Sequence, residues 1–271
     1  MDKLVPEDSY GVFKSYSNQS NVEKAIESVK RVGYAVLESG FTSGEISQIS
    51  FNFDEVYDAY CAKHSMEALT NIDEQNTIRA LFTQPLSDFL KIATNNNLLG
   101  VVNGLISGRY VLNQQNGIIN PSMKRYNQGC WHRDLPYQSF TSSRPLAINA
   151  LFCLDEFTSK NGGTFVLPGS HLFETFPSDS YLQENAIQIS ADAGSYIILD
   201  CMLFHSGGVN KSDSPRRAIN QVFTIPYFKQ QINLPAILEN RNFNKLEREL
   251  LGFEYQMPNS VEEYLLSRGE R

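Results

Sequence analysis

The residues with the greatest chemical reach in this chain are its histidines and the carboxylates beside them. Only four histidines occur among 271 residues: His64, His132, His171 and His205. In Cys130-Trp131-His132-Arg133-Asp134, a histidine and an aspartate stand two positions apart. On an extended strand that spacing sends both side chains to the same face. An imidazole and a carboxylate side by side, joined by a second imidazole from a distant strand, make the two-His-one-carboxylate face that leaves positions open on iron(II). Two residues compete for the second imidazole. His205 closes the apolar run Ile197 to Phe204 and precedes Ser206-Gly207-Gly208, a strand end where backbone can approach closely. His171 sits in the turn Leu167-Pro168-Gly169-Ser170-His171, where orienting a loop is the simpler explanation. A lone H-x-D arises often by chance, so its neighbours decide its weight. Arg216 opens what reads as the strand after His205. A guanidinium there could grip a dicarboxylic co-substrate through its bidentate fork. A solvated surface charge is the plain alternative for Arg216, and the preferred one for Arg217, because neighbours on a strand face opposite ways.

These groups need a scaffold. Asn21 to Lys30 carries Val22, Ala25, Ile26 and Val29 at helical spacing, and Gly33 ends that helix. Tyr34 to Leu37 reads as a strand. Thr42-Ser43-Gly44-Glu45 has the form of a capping box before a helix to about Tyr60. Ala80 to Phe82 and Phe89 to Val102 are expected to be helical, with Asn95-Asn96-Asn97 as a polar interruption. From Tyr110 the texture changes. β-Branched and aromatic runs at Ile118, Leu146 to Leu154, Thr164 to Leu167, Ser195 to Phe204 and Ala218 to Phe228 alternate with turn residues, which predicts strands. Helices first and short strands afterwards predict an α+β domain whose helices cover a β-sandwich or barrel.

Bulk composition narrows the partner. A formal charge of −7 and a pI near 5.2 lack the basic face that nucleic acid or an anionic membrane requires, and favour a small-molecule partner. The N-terminus lacks a signal-peptide apolar region and no run of about 18 apolar residues occurs, so a soluble cytoplasmic protein with no membrane association is expected. Cys61, Cys130, Cys153 and Cys201 show no metal-ribbon or disulfide spacing, and are expected to be reduced and mostly buried.

Three stretches in order carry a resemblance: Trp131 to Tyr137, Asn161 to His171, and His205 to Lys211 continuing through Arg216 to Asn220. Together they resemble the phytanoyl-CoA dioxygenase family, a group that includes ectoine hydroxylase. Val32 to Leu37 followed by a capped helix is similar to the family's N-terminal segment, so the likeness spans roughly residues 25 to 228. The resemblance implies a double-stranded β-helix, a jelly-roll barrel flanked by N-terminal helices, in one domain over residues 1–271. Residues 238–271 would form a peripheral helical tail. It implies that His132, Asp134 and His205 hold catalytic Fe(II), that His171 belongs to a turn and is not a ligand, and that Arg216 binds the distal carboxylate of 2-oxoglutarate. Gln114, Asn116 and Thr164 are further candidates for co-substrate contacts.

What the resemblance implies chemically is hydroxylation of a small metabolite by O2 and 2-oxoglutarate, with release of succinate and CO2. The Asp134 carboxylate favours hydroxylation over halogenation, which needs a small residue at that position. Tyr137, Gln138 and Phe140, just past the metal motif, are candidate substrate contacts, and residues 173–184 a candidate lid. Two rivals remain: a cupin-like metalloenzyme using Zn or Mn without 2-oxoglutarate, and a non-catalytic barrel acting as a binding module. Patterns of this kind name neither the individual substrate nor the oligomeric state, and leave desaturation, epimerisation and ring formation open beside hydroxylation. Lys124, Arg125, Arg133 and Arg144 are scattered and read as solvated surface charges, which favours a small metabolite over an acyl-CoA.

Overall fold

Local caps set the helical entry. In the computed structural model, which describes residues 6, 8–13, 19–84, 89–135 and 141–269, Ser20 and Glu23 close a reciprocal capping box ahead of α1 (Asn21–Val32). Gly33 ends that helix in the left-handed region at φ 88°, and a side chain there would collide with Leu203 and His171. Only glycine admits this turn into β1 (Tyr34–Glu38). Thr42 and Glu45 form the expected box before α2 (Ser43–His64). The short elements α3 (Met66–Asn71), β2 (Thr77–Ile78) and α4 (Leu90–Ala93) follow. The polar interruption Asn95-Asn96-Asn97 is a helix start: the Asn95 side-chain Oδ1 accepts from the amides of Asn97 and Leu98 and caps α5 (Asn96–Leu105). The helix expected at Ala80 to Phe82 is a single 3-10 turn over Leu81–Thr83, entered from Ala80 at φ 49°.

The remaining elements are β3 (Val111–Asn120), β4 (Ala147–Cys153), β5 (Phe165–Val166), α6 (Asp179–Asn185), β6 (Ile187–Gln188), β7 (Ser195–Asp200), β8 (His205–Ser206) and β9 (Arg216–Thr224), then α7 (Leu234–Ile237), α8 (Lys245–Leu251) and α9 (Val261–Gly269). Six strands make an antiparallel sheet in the order β1-β7-β4-β9-β3-β2, and β6-β5-β8 make a smaller one. An antiparallel bridge between His132 and His205 extends the smaller sheet by one more segment. This is the α+β double-stranded β-helix architecture, with α1, α2, α5 and α8 laid on the outside of the larger sheet. On β4, Ile148, Ala150 and Phe152 join the core under the helices, while Cys153 packs inside the barrel with Ile197, Leu199 and Ala218. Because both faces are buried, these strands read as nearly continuous apolar runs.

The run from Ser195 to Phe204 is not one strand. At Asp200 the chain turns from the larger sheet to the smaller: the carboxylate accepts from the Met202 amide, and the Leu203 amide donates back to the Asp200 carbonyl. That turn delivers His205. The tail divides into two parts, for Leu238, Leu250 and Leu251 enter the main core, whereas α9 buries none of its residues. The four cysteines are free, with Cys153 and Cys201 buried, Cys61 half-buried and Cys130 exposed. No described helix is long and apolar enough to cross a membrane.

Candidate metal centre

The bridge between β8 and the segment before Asp134 sets the geometry. His132 and His205 exchange both backbone hydrogen bonds, 2.9 and 3.0 Å, so their side chains emerge on one face with ring centroids 4.3 Å apart. Asp134 lies two residues on, and its amide donates to the Cys201 carbonyl at 3.1 Å. Its Oδ1 stands 4.0 Å from His132 Nε2 and 3.7 Å from His205 Nε2. The ligand atoms of these residues all fall within 4.8 Å of one another, close enough for one ion to bridge. Among the described residues this is the only such group of three or more.

Each ligand atom is presented by a contact behind it. His132 Nδ1 donates to the Cys130 carbonyl at 2.7 Å, and His205 Nδ1 donates to the Leu203 carbonyl at 3.0 Å. A proton fixed on Nδ1 leaves the Nε2 lone pair facing the centre. Burial holds the His205 pKa below the usual imidazole value, which keeps that lone pair free of a proton, although the Asp134 charge pulls the other way. Asp134 Oδ2 accepts from Asn149 Nδ2 at 2.7 Å, leaving Oδ1 to the centre.

A cavity runs from His132 and His205 past Asn149 and Thr164 to Asn220 and Arg216. Arg216 is 3% exposed, and its guanidinium lies over the Phe157 ring at 3.7 Å. Its only polar contact among the described residues is a long one, 3.5 Å, from Nη2 to the Tyr126 hydroxyl. Nε and Nη1 have no hydrogen-bond partner among the described residues. A buried cation with orphaned N–H groups is costly unless an anion meets it, so the inner end of the cavity suits a carboxylate. Arg217 faces the opposite side and forms ion pairs with Asp155 and Asp54, both at 2.7 Å.

The other candidates separate by position. Thr164 is buried and lines the cavity. Gln114 and Asn116 share a face of β3 with the cavity residue Ile118 but do not reach the cavity. Asn116 accepts from the Ala80 amide at 3.2 Å and donates to Gln231 at 3.1 Å, which engages its side chain in holding the turn at Ala80. Tyr137, Gln138 and Phe140 lie outside the described residues. His171 is buried away from the cluster, and His64 is exposed near the end of α2.

Arg133 is not a solvated charge: it is 7% exposed and lies over the Phe204 ring at 3.9 Å. It donates to the carbonyls of Met202, Ser170, Glu174 and Phe173. Alternation along the strand points it to the outer side of the smaller sheet, opposite His132 and Asp134. The stretch expected to act as a lid is held there too, with Phe176 packed on Phe204 and Trp131. Asn149 and Tyr126 belong to the site but to none of its sequence motifs. Asn149 had a visible signal, being the lone amide in the apolar run of β4, whereas Tyr126 sits in a loop with no periodicity to mark its direction.

Comparison with known proteins places this geometry. The sequence profile of the phytanoyl-CoA dioxygenase family, PhyH, matches residues 29–218. The uncharacterized protein Rv1501 of Mycobacterium tuberculosis is 28% identical over 257 residues, which cover 91% of this chain and 92% of that protein. The iron/alpha-ketoglutarate-dependent dioxygenase ausU of Aspergillus calidoustus is 34% identical over 91 residues, 31% of this chain and 30% of that protein. Among solved structures, EctD from S. alaskensis with 2-oxoglutarate and 5-hydroxyectoine superposes with a TM-score of 0.64 at 22% identity, covering 78% of each chain.

Proposed function

This chain belongs to the phytanoyl-CoA dioxygenase family, and from that premise we propose that it is an iron(II)- and 2-oxoglutarate-dependent dioxygenase whose metal is held by His132, Asp134 and His205. One observation carries the reading. A single cavity is lined by His132 and His205, which share a metal-sized cluster with Asp134, and by a buried guanidinium, that of Arg216, with two N–H groups unpaired among the described residues. The donor set of two imidazoles and one carboxylate is the one that suits iron(II) while leaving sites open. Arg216 would hold the far carboxylate of 2-oxoglutarate, satisfying the N–H groups it now leaves unpaired. The names of relatives agree, since ausU is called an iron/alpha-ketoglutarate-dependent dioxygenase and the EctD structure contains 2-oxoglutarate.

When bound, the metal, co-substrate and O2 would supply oxidation of an unactivated C–H bond, with release of succinate and CO2. The chain's own residues bind, orient and exclude water. The Nδ1 contacts of His132 and His205 fix their tautomers, Asn149 turns one oxygen of Asp134 to the centre, and Ile118, Leu151, Leu199 and Ala218 line the cavity with apolar surface. We assign hydroxylation of a small metabolite as the outcome, favoured over halogenation because Asp134 gives the metal a carboxylate at the position a halide would otherwise take.

The test is an anaerobic titration of metal-free protein with iron(II) and 2-oxoglutarate, following the weak visible charge-transfer band of a chelated keto acid. The band is expected in the wild type and absent in His205→Ala. No band in the wild type, with tight zinc or manganese binding, would replace this reading by a cupin-like metalloenzyme.

A further inference from the structure

Gly207 has no backbone reason to be glycine. Its φ is not in the left-handed region, unlike Gly33 or Gly162. What forbids a side chain there is Tyr126: a Cβ added at position 207 would meet the Tyr126 hydroxyl, with the Gln128 carbonyl close behind. The two walls are also stitched together, since the Gly207 amide donates to the Gln128 carbonyl at 2.8 Å. The tyrosine hydroxyl therefore fills the space that a side chain at 207 would otherwise occupy. That space is beside Arg216, whose Nη2 is 3.5 Å from the hydroxyl, and both Tyr126 and Gly207 line the cavity. The hydroxyl has no acceptor for its own proton among the described residues.

We infer that Tyr126 is a second donor to the far carboxylate of the co-substrate, paired with Arg216, and that residue 207 is glycine to make room for its hydroxyl. The inference rests on the oxygenase reading above. A carboxylate held by a guanidinium retains lone pairs that a second donor can meet. A phenol serves that purpose while it keeps its proton, and burial raises the Tyr126 pKa, against the lowering effect of Arg216. Phe157 covers one face of the guanidinium, and its N–H groups point along its edge, where the anion and the phenol would meet them.

Equilibrium titration of 2-oxoglutarate into iron(II)-loaded protein without oxygen, read by the visible band and by calorimetry, tests the pairing. Tyr126→Phe is expected to weaken 2-oxoglutarate binding roughly ten- to a hundredfold, the effect of losing one hydrogen bond to a charged group, with iron affinity unchanged. The geometry also predicts a rescue. Gly207→Ser in a Tyr126→Ala background brings a hydroxyl to the same space from the other wall and should recover much of the lost affinity, whereas Gly207→Ala in that background should not. Wild-type affinity in Tyr126→Phe would overturn the inference while leaving the oxygenase reading intact, as would loss of iron together with 2-oxoglutarate, which would make the residue structural. A wild type that binds no 2-oxoglutarate would overturn the oxygenase reading, and this inference with it.

Discussion

The two ends of the cavity are built in opposite ways. At the metal end every imidazole Nδ1 and one aspartate oxygen already has a partner, so what remains is a set of lone pairs turned inward. At the arginine end the remaining groups are N–H donors, two of them without a partner among the described residues. One end calls for a cation and the other for an anion. The scaffolds differ as well. The lone pairs come from the smaller sheet, whose strands span two residues each, while Arg216 starts the nine-residue strand β9, paired along its length with β3 and β4. Short strands can serve the metal end because side chain to backbone contacts, not ladder length, hold its ligands in place.

If the ends are as different as they look, they should fail separately. The largest effect is expected from Asp134→Ala, which removes one of three ligands and the only negative charge among them; iron stoichiometry measured after desalting should fall to background. Arg216→Ala comes next. It should leave iron bound in the wild-type ratio but weaken 2-oxoglutarate roughly a hundredfold or more, the scale seen when one member of a buried charge pair is removed. Loss of iron in Arg216→Ala, measured by metal analysis of folded protein, would break the comparison.

Parts of this contrast were legible in the sequence because strands have a period of two. His132 and Asp134 had to share a face, and Arg216 and Arg217 had to oppose one another, as they do: one is buried in the cavity, the other paired with Asp54 and Asp155. The order of the motifs, helices first and strands after, carried the architecture. What period cannot reveal is what covers each face. Arg133 looked like a surface charge because nothing local says that residues 170–176 fold back over it. Asn116 looked available until the left-handed Ala80 claimed its oxygen. Tyr126 belongs to a loop around the 3-10 turn Asn127–Gly129, whose direction is fixed by long-range contacts with Gly207, Arg216 and Asp73.

Arg133 offers a way to separate stability from ligation at the metal end itself. Arg133→Ala leaves the buried carbonyls of Met202 and Ser170 without this donor, at about 1–3 kcal/mol each where no water replaces it. A total near 3 kcal/mol should lower Tm by roughly 6–12 °C in a chain of this size. Because its contacts lie on the far side of the sheet from His132 and Asp134, the folded variant should still bind iron, measured well below its Tm. An unchanged Tm with lost iron would mean that the outer clamp positions the ligands directly.

Asn149 sharpens the comparison most finely, because it comes from the larger sheet and acts on the smaller one. Its amide donates to Asp134 Oδ2 from β4, the one contact by which the larger sheet touches a metal-ligating side chain through a hydrogen bond among the described residues. Asn149→Ala should not remove any ligand atom, yet it frees the carboxylate to rotate and to offer both oxygens. Contacts of this kind are typically worth ten- to a hundredfold in metal affinity, so a loss of about that size is expected. Asn149→Leu fills the volume without the donor and should show the same loss with better packing. If both variants bind iron as the wild type does, Asp134 is positioned by its own backbone, through the Cys201 carbonyl, and the metal end is independent of the larger sheet. If both lose affinity while 2-oxoglutarate binding to the remaining holoprotein is unchanged, the two ends stay separate in their ligands but share one scaffold, with Asn149 as the link.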